Sequence, residues 1–168
     1  MGKLIFKIVE TKEELQGCFA VRHAVFVEEQ KIFLETDRNS FDESGIHIAA
    51  INTGTSKVVS TVRCHEADKD IWYGSRLAVA KNYRSHHSQI GVSLCKLAEK
   101  TVASRGAKRF LAYIQPQNVR FFQGLHWRKV GKPVMHCGLL HQLMQASLFD
   151  KREKAKTLNV EKSQTVYA

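Results

Sequence analysis

Residues 73–127, YGSRLAVAKNYRSHHSQIGVSLCKLAEKTVASRGAKRFLAYIQPQNVRFFQGLHW, decide how this chain folds. The stretch opens as an apolar strand through Ser75-Arg76-Leu77-Ala78-Val79. A basic polar loop follows, Arg84-Ser85-His86-His87-Ser88-Gln89, which enters Ile90-Gly91-Val92 at the start of a helix. Val92, Leu94, Cys95, Leu97, Ala98 and Val102 then recur on one broad helical face, and Gly106 stops the helix just after Arg105. Residues 110–114 read as the next strand, and Pro116 with Asn118 starts a short helix carrying Phe121, Phe122 and Leu125. A strand that hands a loop to a helix N-terminus leaves backbone N–H groups free at the positive end of the helix dipole, which suits a pyrophosphate. A phosphate-bearing cofactor is therefore the first functional expectation.

Outward from this stretch, Leu4, Phe6 and Ile8 alternate with Ile5, Lys7 and Val9 as an opening strand. Thr11 and Glu14 make a capping-box pattern. Leu15, Cys18, Phe19, Val21, Arg22, Val25 and Phe26 continue at helical spacing, which predicts a long first helix with a break admitted near Gly17. Residues 31–44 are polar, without strong periodicity, and read as a loop. Residues 46–51 and 58–64 flank a turn at Gly54 as a hairpin, and 71–79 extend it to a three-stranded antiparallel meander. Residues 127–135 and 139–149 read as a closing hairpin. The order of periods predicts an α+β fold whose mixed, mostly antiparallel sheet has six or seven strands flanked by helices.

The chain of 168 residues fits one domain, over 1–149, followed by a polar tail at 150–168 rich in lysine and glutamate. No run approaches the roughly 18 apolar residues of a membrane span, and Met1-Gly2-Lys3 leads straight into a strand rather than a signal peptide. A cytoplasmic protein is expected. The net charge of +10 suits an anionic ligand, and the tail accounts for part of it. No basic helix or zinc finger points to a specific nucleic acid. Cys18, Cys64, Cys95 and Cys137 form no C-x-x-C pair, so reduced and mostly buried thiols are expected. His136, Cys137 and His141 come closest to a metal cluster, but 136 and 141 have opposite parity, so a hairpin with partly buried histidines is expected and no metal.

Together these residues resemble the GNAT N-acyltransferase superfamily. Leu77-Ala78-Val79 is similar to its fourth strand and residues 84–91 to its pyrophosphate loop. Asn118 with Phe121-Phe122-Gln123-Gly124-Leu125-His126-Trp127 resembles its Asn…Phe-Tyr-x-x-Leu-Gly-Phe segment. The run Val21-Arg22-His23-Ala24-Val25-Phe26-Val27-Glu28-Glu29-Gln30, with Asp37, Asp42 and His47, is most like a bacterial branch found near nitrile-metabolism genes. The resemblance implies acetyl- or longer acyl-coenzyme A as co-substrate and a small-molecule amine as acceptor, by direct transfer. It assigns the coenzyme to the backbone of Leu77, Ala78 and Val79, to Arg84, Ser85, His86, His87, Ser88, Gln89, Ile90, Gly91 and Val92, and to Asn118, Phe121 and Phe122. Two departures stand out. The loop lacks a glycine at Gln89 and is two residues longer than usual unless His86 takes the arginine position. Phe122 stands where many members carry the tyrosine that protonates the departing thiolate.

Acyl transfer also needs a base, for which Glu28, His65 and Glu66 are the candidates. Arg22, Arg63 and Arg76 sit in otherwise apolar stretches, where an unpaired charge is costly. They either pair with Glu28, Asp37 or Asp42 or, with Phe26, bind an acidic group of the substrate. Asn118 either hydrogen-bonds the pantetheine arm or caps the helix it precedes. Arg22, Phe26, Asp37, Asp42 and Arg63 also resemble the N-terminal pattern of acyl-homoserine-lactone synthases, which keeps long-chain acyl transfer open. A coenzyme A-binding regulatory module is the non-enzymatic alternative, and a homodimer is left open.

Overall fold

The structure, a computed structural model, describes residues 2–148, with the side chains of 86–88 left aside. Strands β1 (Leu4–Ile8), β2 (Ile46–Asn52), β3 (Lys57–Asp68) and β4 (Ile71–Val79) pair antiparallel in sequence order. β4 then pairs parallel with β5 (Arg109–Ile114). β5 pairs antiparallel with β8 (Leu139–Gln145), which also takes β6 (Arg128–Lys129) and β7 (Val134–His136). Among the described residues the mixed, mostly antiparallel sheet thus has seven strands along one path, within the expected six or seven, and an eighth, β7, paired off it to β8. The added piece comes from the final pair, because its first arm breaks at residues 130–133. Gly131 takes a positive φ of 67° there, and Pro133 cannot donate to a ladder. Phe149 and the tail at 150–168 lie outside the described residues.

Thr11 and Glu14 form the expected capping box at the start of α1 (Lys12–Arg22). The helix runs through Gly17 without a break. A Cβ there would lie 2.6 Å from Val58 Cγ2, so the glycine lets α1 sit close on β3. Beyond Arg22 the backbone widens into a π-helical stretch, His23–Glu29, which ends with the Gln30 N–H donating to the Val25 carbonyl at 2.9 Å. The polar segment at 31–44 is irregular except for the single turn α2 (Phe41–Ser44).

The expected loop at 84–89 is instead helical. A 3₁₀ turn over Lys81–His86 runs directly into α3 (His87–Ser104), three residues ahead of Ile90. No glycine or proline interrupts 84–89, and the Tyr83 N–H already donates to the Ala80 carbonyl. A second 3₁₀ turn, Pro116–Asn118, leads into α4 (Val119–Gly124). On one sheet face Leu94, Cys95, Ala98 and Val102 of α3 pack with Ile48, Val62, Cys64, Trp72 and Phe110. On the other, Val21, Val25 and Phe26 pack with Ala78, and Cys18 packs with Ala49 and Ile51. Cys18, Cys64 and Cys95 are buried and Cys137 is exposed; burial pushes the Cys64 thiol up to about 12. Among the described residues no helix is long and apolar enough to cross a membrane.

Candidate active site

The parallel pairing of β4 and β5 lasts three residues, Ile71↔Arg109, Trp72↔Phe110 and Tyr73↔Leu111, and then stops. Beyond it β4 runs on to Val79 and β5 to Ile114 with no ladder between them. The β5-facing backbone groups of residues 74–79 therefore form an open edge inside the sheet, where an amide-bearing chain can pair. A bulge shapes that edge. Opposite β3 the register jumps from Arg63↔Ser75 to Thr61↔Ala78, so Val62 faces two residues of β4, and Arg76 adopts φ = 58°. A left-handed conformation at a non-glycine residue costs about 1–2 kcal/mol. Here Asp37 offsets it: Arg76 Nε lies 3.1 Å from Asp37 Oδ2, and Nη2 donates to the Asp37 carbonyl at 2.9 Å. The extra residue inverts the strand's parity, which turns Leu77 and Val79 toward the α3 core and Ala78 toward the α1 face.

A cavity of about 370 Å³ opens at this splay. Its sheet-and-α3 side is apolar, with Phe110, Ala112, Ile114, Phe122 and Trp127. Its other side carries Arg63, His65, Tyr73, Ser75, Arg76 and Tyr113. Register explains the second set. Arg63 pairs with Ser75 and His65 with Tyr73, so alternation brings all four to one face. Their rings continue as a ladder across the sheet. The Phe41 and His65 centroids are 3.9 Å apart, His65 and Tyr73 6.0 Å, Tyr73 and Tyr113 6.0 Å, and Tyr113 and His136 4.2 Å.

Behind the ladder lies a buried charge network. Arg22 donates from Nε to Asp37 at 2.7 Å and forks onto Asp42 at 2.7 and 3.2 Å. Arg63 donates to Asp42 at 2.9 Å, to Asn39 at 2.8 Å and to Ser75 Oγ at 3.1 Å. Burial alone would raise the Asp42 carboxyl, but the Arg22 fork, the Asn39 N–H and Arg63 outweigh it and hold it well below the usual carboxylate range. Burial, with Arg63 and Arg76 nearby, pushes the His65 imidazole down to about 4, so it is neutral at pH 7. Its Nδ1 is sealed from water and has no hydrogen-bond partner among the described residues.

Of the three base candidates, His65 lines the cavity. Glu28 and Glu66 are exposed and do not; Glu28 lies 3.4 Å from His23. Arg22, Arg63 and Arg76 pair with Asp37 and Asp42 rather than Glu28, and Phe26 joins the cavity wall. Asn118 makes no cap hydrogen bond, and its residue lines the cavity together with Phe122. Gly91 meets Phe121, whose Cζ would lie 3.1 Å from an added Cβ. Arg84 pairs with Glu29 at 2.7 Å and donates to the Val79 carbonyl at 3.1 Å, which ties the 3₁₀ turn to the end of β4. Ser85 and Gln89 are exposed and Ile90 is buried.

Sequence reasoning missed Phe41, Tyr73, Ser75 and Tyr113, although strict alternation from Arg63 and His65 across a meander would have pointed to Tyr73 and Ser75. The parity argument for His136 and His141 also needs correction. Cys137 and Gly138 take positive φ values of 50° and 76° in a two-residue turn, so Val134 pairs with His141 and His136 with Leu139. The two histidines therefore share a face, with rings 5.4 Å apart, and both line the cavity. Among the described residues no group of histidine, cysteine and carboxylate side chains is arranged to hold a metal.

A mixed sheet that splays after a bulged fourth strand, with a cavity at the fork, defines an acyltransferase architecture. The chain belongs to the acetyltransferase (GNAT) family, whose model matches residues 8–127, and it is an enzyme of that type. It is 30% identical over 140 residues to the uncharacterized N-acetyltransferase YjcF of Bacillus subtilis, a match covering 82% of this chain and 95% of that one. A crystal structure from Lactobacillus plantarum superposes with a TM-score of 0.77 at 20% identity, over 86% of this chain and 98% of the other. The CoA-dependent acyl-homoserine lactone synthase BjaI superposes with a TM-score of 0.73 at 15% identity, over 95% and 89%.

Proposed function

We propose that the protein moves an acetyl or longer acyl group from acyl-coenzyme A directly to the amine of a small molecule, in the cytoplasm. The observation that carries this reading is the open backbone edge of β4 beyond the last β4–β5 pair, leading to the start of α3. The edge offers N–H and C=O groups to the two amides of a pantetheine arm. Asn118, whose side chain caps nothing and whose residue lines the cavity, adds a side-chain amide, and the helical run from Lys81 into α3 turns the positive end of its dipole to phosphate. The thioester supplies an activated acyl carbon: an N–C bond forms as the C–S bond breaks, and the proton lost by the amine ends on sulfur.

The residues of the chain would align these groups and handle the proton. His65, held neutral in the cavity wall, can accept a hydrogen bond from the amine only through Nε2, since Nδ1 is sealed. Phe122 has no exchangeable proton, whereas Tyr73 and Tyr113 bring phenolic hydroxyls to the cavity. Burial and Tyr113 raise the Tyr73 phenol, which keeps it protonated as a donor. A departing thiolate is stable enough near neutral pH that a side-chain acid is worth about 100- to 10,000-fold rather than being indispensable.

Long-chain transfer resembling that of a homoserine-lactone synthase is the second reading, supported by the Arg22–Asp42–Arg63 network. The same network supports placing the chain in the branch associated with nitrile-metabolism genes. Calorimetry with acetyl- and octanoyl-coenzyme A, followed by thiol release across an amine panel, tests both. Absence of coenzyme binding by the native protein would refute the proposal, and release with the octanoyl donor alone would favour the second reading.

A further inference from the structure

The buried network behind the cavity does not balance. Arg22, Arg63 and Arg76 face two carboxylates, Asp37 and Asp42. The nearby His47 and His65 do not add to the excess, since burial favours their neutral forms. Among the described residues no aspartate or glutamate lines the cavity, while Arg63 and Arg76 both do. Each of these arginines also keeps an unused donor. Arg63 engages Nε and Nη1, and Arg76 engages Nε and Nη2, so Nη2 of Arg63 and Nη1 of Arg76 have no acceptor among the described residues. Neither nitrogen is among the buried atoms sealed off without a partner, and both residues line the cavity. One excess positive charge inside a protein is expensive unless a ligand supplies its counter-charge.

We infer that the acceptor is an amine that also carries a carboxylate, held by the unused donors of Arg63 and Arg76 beside Ser75. This rests on the transferase reading above and names its substrate class. Carboxylate and guanidinium match in geometry and charge. The phosphates of the coenzyme are accounted for elsewhere, because the α3 start lies beyond the end of β4 whereas Arg76 sits at its bulge. The ring ladder of Phe41, His65, Tyr73 and Tyr113, whose faces stack on one another, gives the rest of the acceptor a wall of ring edges. An α-amino acid with an aromatic side chain combines these features: carboxylate on the guanidiniums and ring against the ladder, in the cavity that His65 also lines.

The test is thiol release from acetyl-coenzyme A with matched acceptors, phenylalanine against phenethylamine and tyrosine against tyramine. The acid of each pair is expected to have a kcat/KM at least about tenfold higher, as for a charge-assisted hydrogen bond. In Arg76→Gln, which leaves two guanidiniums for two carboxylates and so need not unfold the protein, the ratio of acid to amine kcat/KM within the variant should fall toward one, whatever the absolute rates. Arg76→Lys should restore part of it. Equal rates for acid and amine, or a preference for the amine, would overturn the inference and leave the transferase reading intact. Equal loss for both acceptors in Arg76→Gln would also overturn it, since the arginine would then act on the reaction itself. Preference for succinyl- over acetyl-coenzyme A with phenethylamine would place the anion on the donor. Release with no acceptor at all would instead refute the transferase reading, and this one with it.

Discussion

Replacing Asp42 by asparagine removes one of the two negative charges around which three arginines are organised. The carboxylate accepts from Arg22 at 2.7 and 3.2 Å, from Arg63 at 2.9 Å and from the Asn39 N–H at 2.9 Å, and its side chain is 6% exposed. An amide can keep one or two of these hydrogen bonds but none of the charge, which leaves Asp37 alone against Arg22, Arg63 and Arg76. Breaking a buried ion pair by deleting one partner costs about 3–5 kcal/mol, because the remaining charge is left uncompensated. For a chain of this size, a loss of about 3 kcal/mol lowers Tm by about 6–12 °C. The penalty should also depend on pH. The Asp42 carboxyl is held below its ordinary value of about 3.9, so the unfolded chain takes up its proton first as pH falls. The contribution is complete above that value and is lost as pH drops through the folded value. Thermal and urea unfolding followed by circular dichroism at pH 7 and pH 3 reads both effects. A loss below about 2 °C at pH 7, or a difference between variant and native protein that grows in acid, would refute the reasoning.

His65→Phe keeps the ring stack on Phe41 and Tyr73 but removes a group whose folded value, about 4, lies below its ordinary one. The native protein should lose up to roughly 3 kcal/mol from this group as pH falls from about 6.5 toward about 4, and urea titrations should show a shallower fall in the variant. Asn118→Ala should leave Tm nearly unchanged, because the side chain caps nothing, while weakening acyl-coenzyme A binding by about 2- to 12-fold in calorimetry, the worth of one hydrogen bond. Gly17→Ala places a methyl 2.6 Å from Val58 Cγ2 and should destabilise by about 1–3 kcal/mol in urea unfolding, without altering the coenzyme Kd.

The parts of this fold legible in the sequence are those dictated by local periodicity. Alternation gave the β2–β3–β4 meander, the apolar face of α3 was plain, and Thr11 with Glu14 marked the start of α1 where the capping box lies. What escaped depends on contacts between distant residues. The π-helical widening at His23–Glu29 carries no local signal. The helical course of residues 84–89 competes with a loop reading of the same polar composition, and only the missing glycine hinted at it. Glu99 falls on the buried side of α3 because Trp127, 28 residues later, donates its indole N–H to it at 2.9 Å.

The candidate site divides along the same line. Single residues were visible by their chemistry: three arginines in apolar surroundings announce buried partners, and Asp37 and Asp42 were among those available. The arithmetic was not visible, because it requires knowing that Glu28 faces solvent and Glu29 is taken by Arg84. Once both are removed from the count, two carboxylates remain for three guanidiniums. The bulge at Arg76 matters for the same reason. A residue in the left-handed region within a strand signals nothing in a sequence unless it is glycine, yet this one shifts the register of β4 on β3 beside the point where β4 and β5 part. Asp37, held in place by Arg22, supplies the hydrogen bonds that keep Arg76 in that conformation, so the network that stabilises the α1 face also sets the shape and the charge of the cavity.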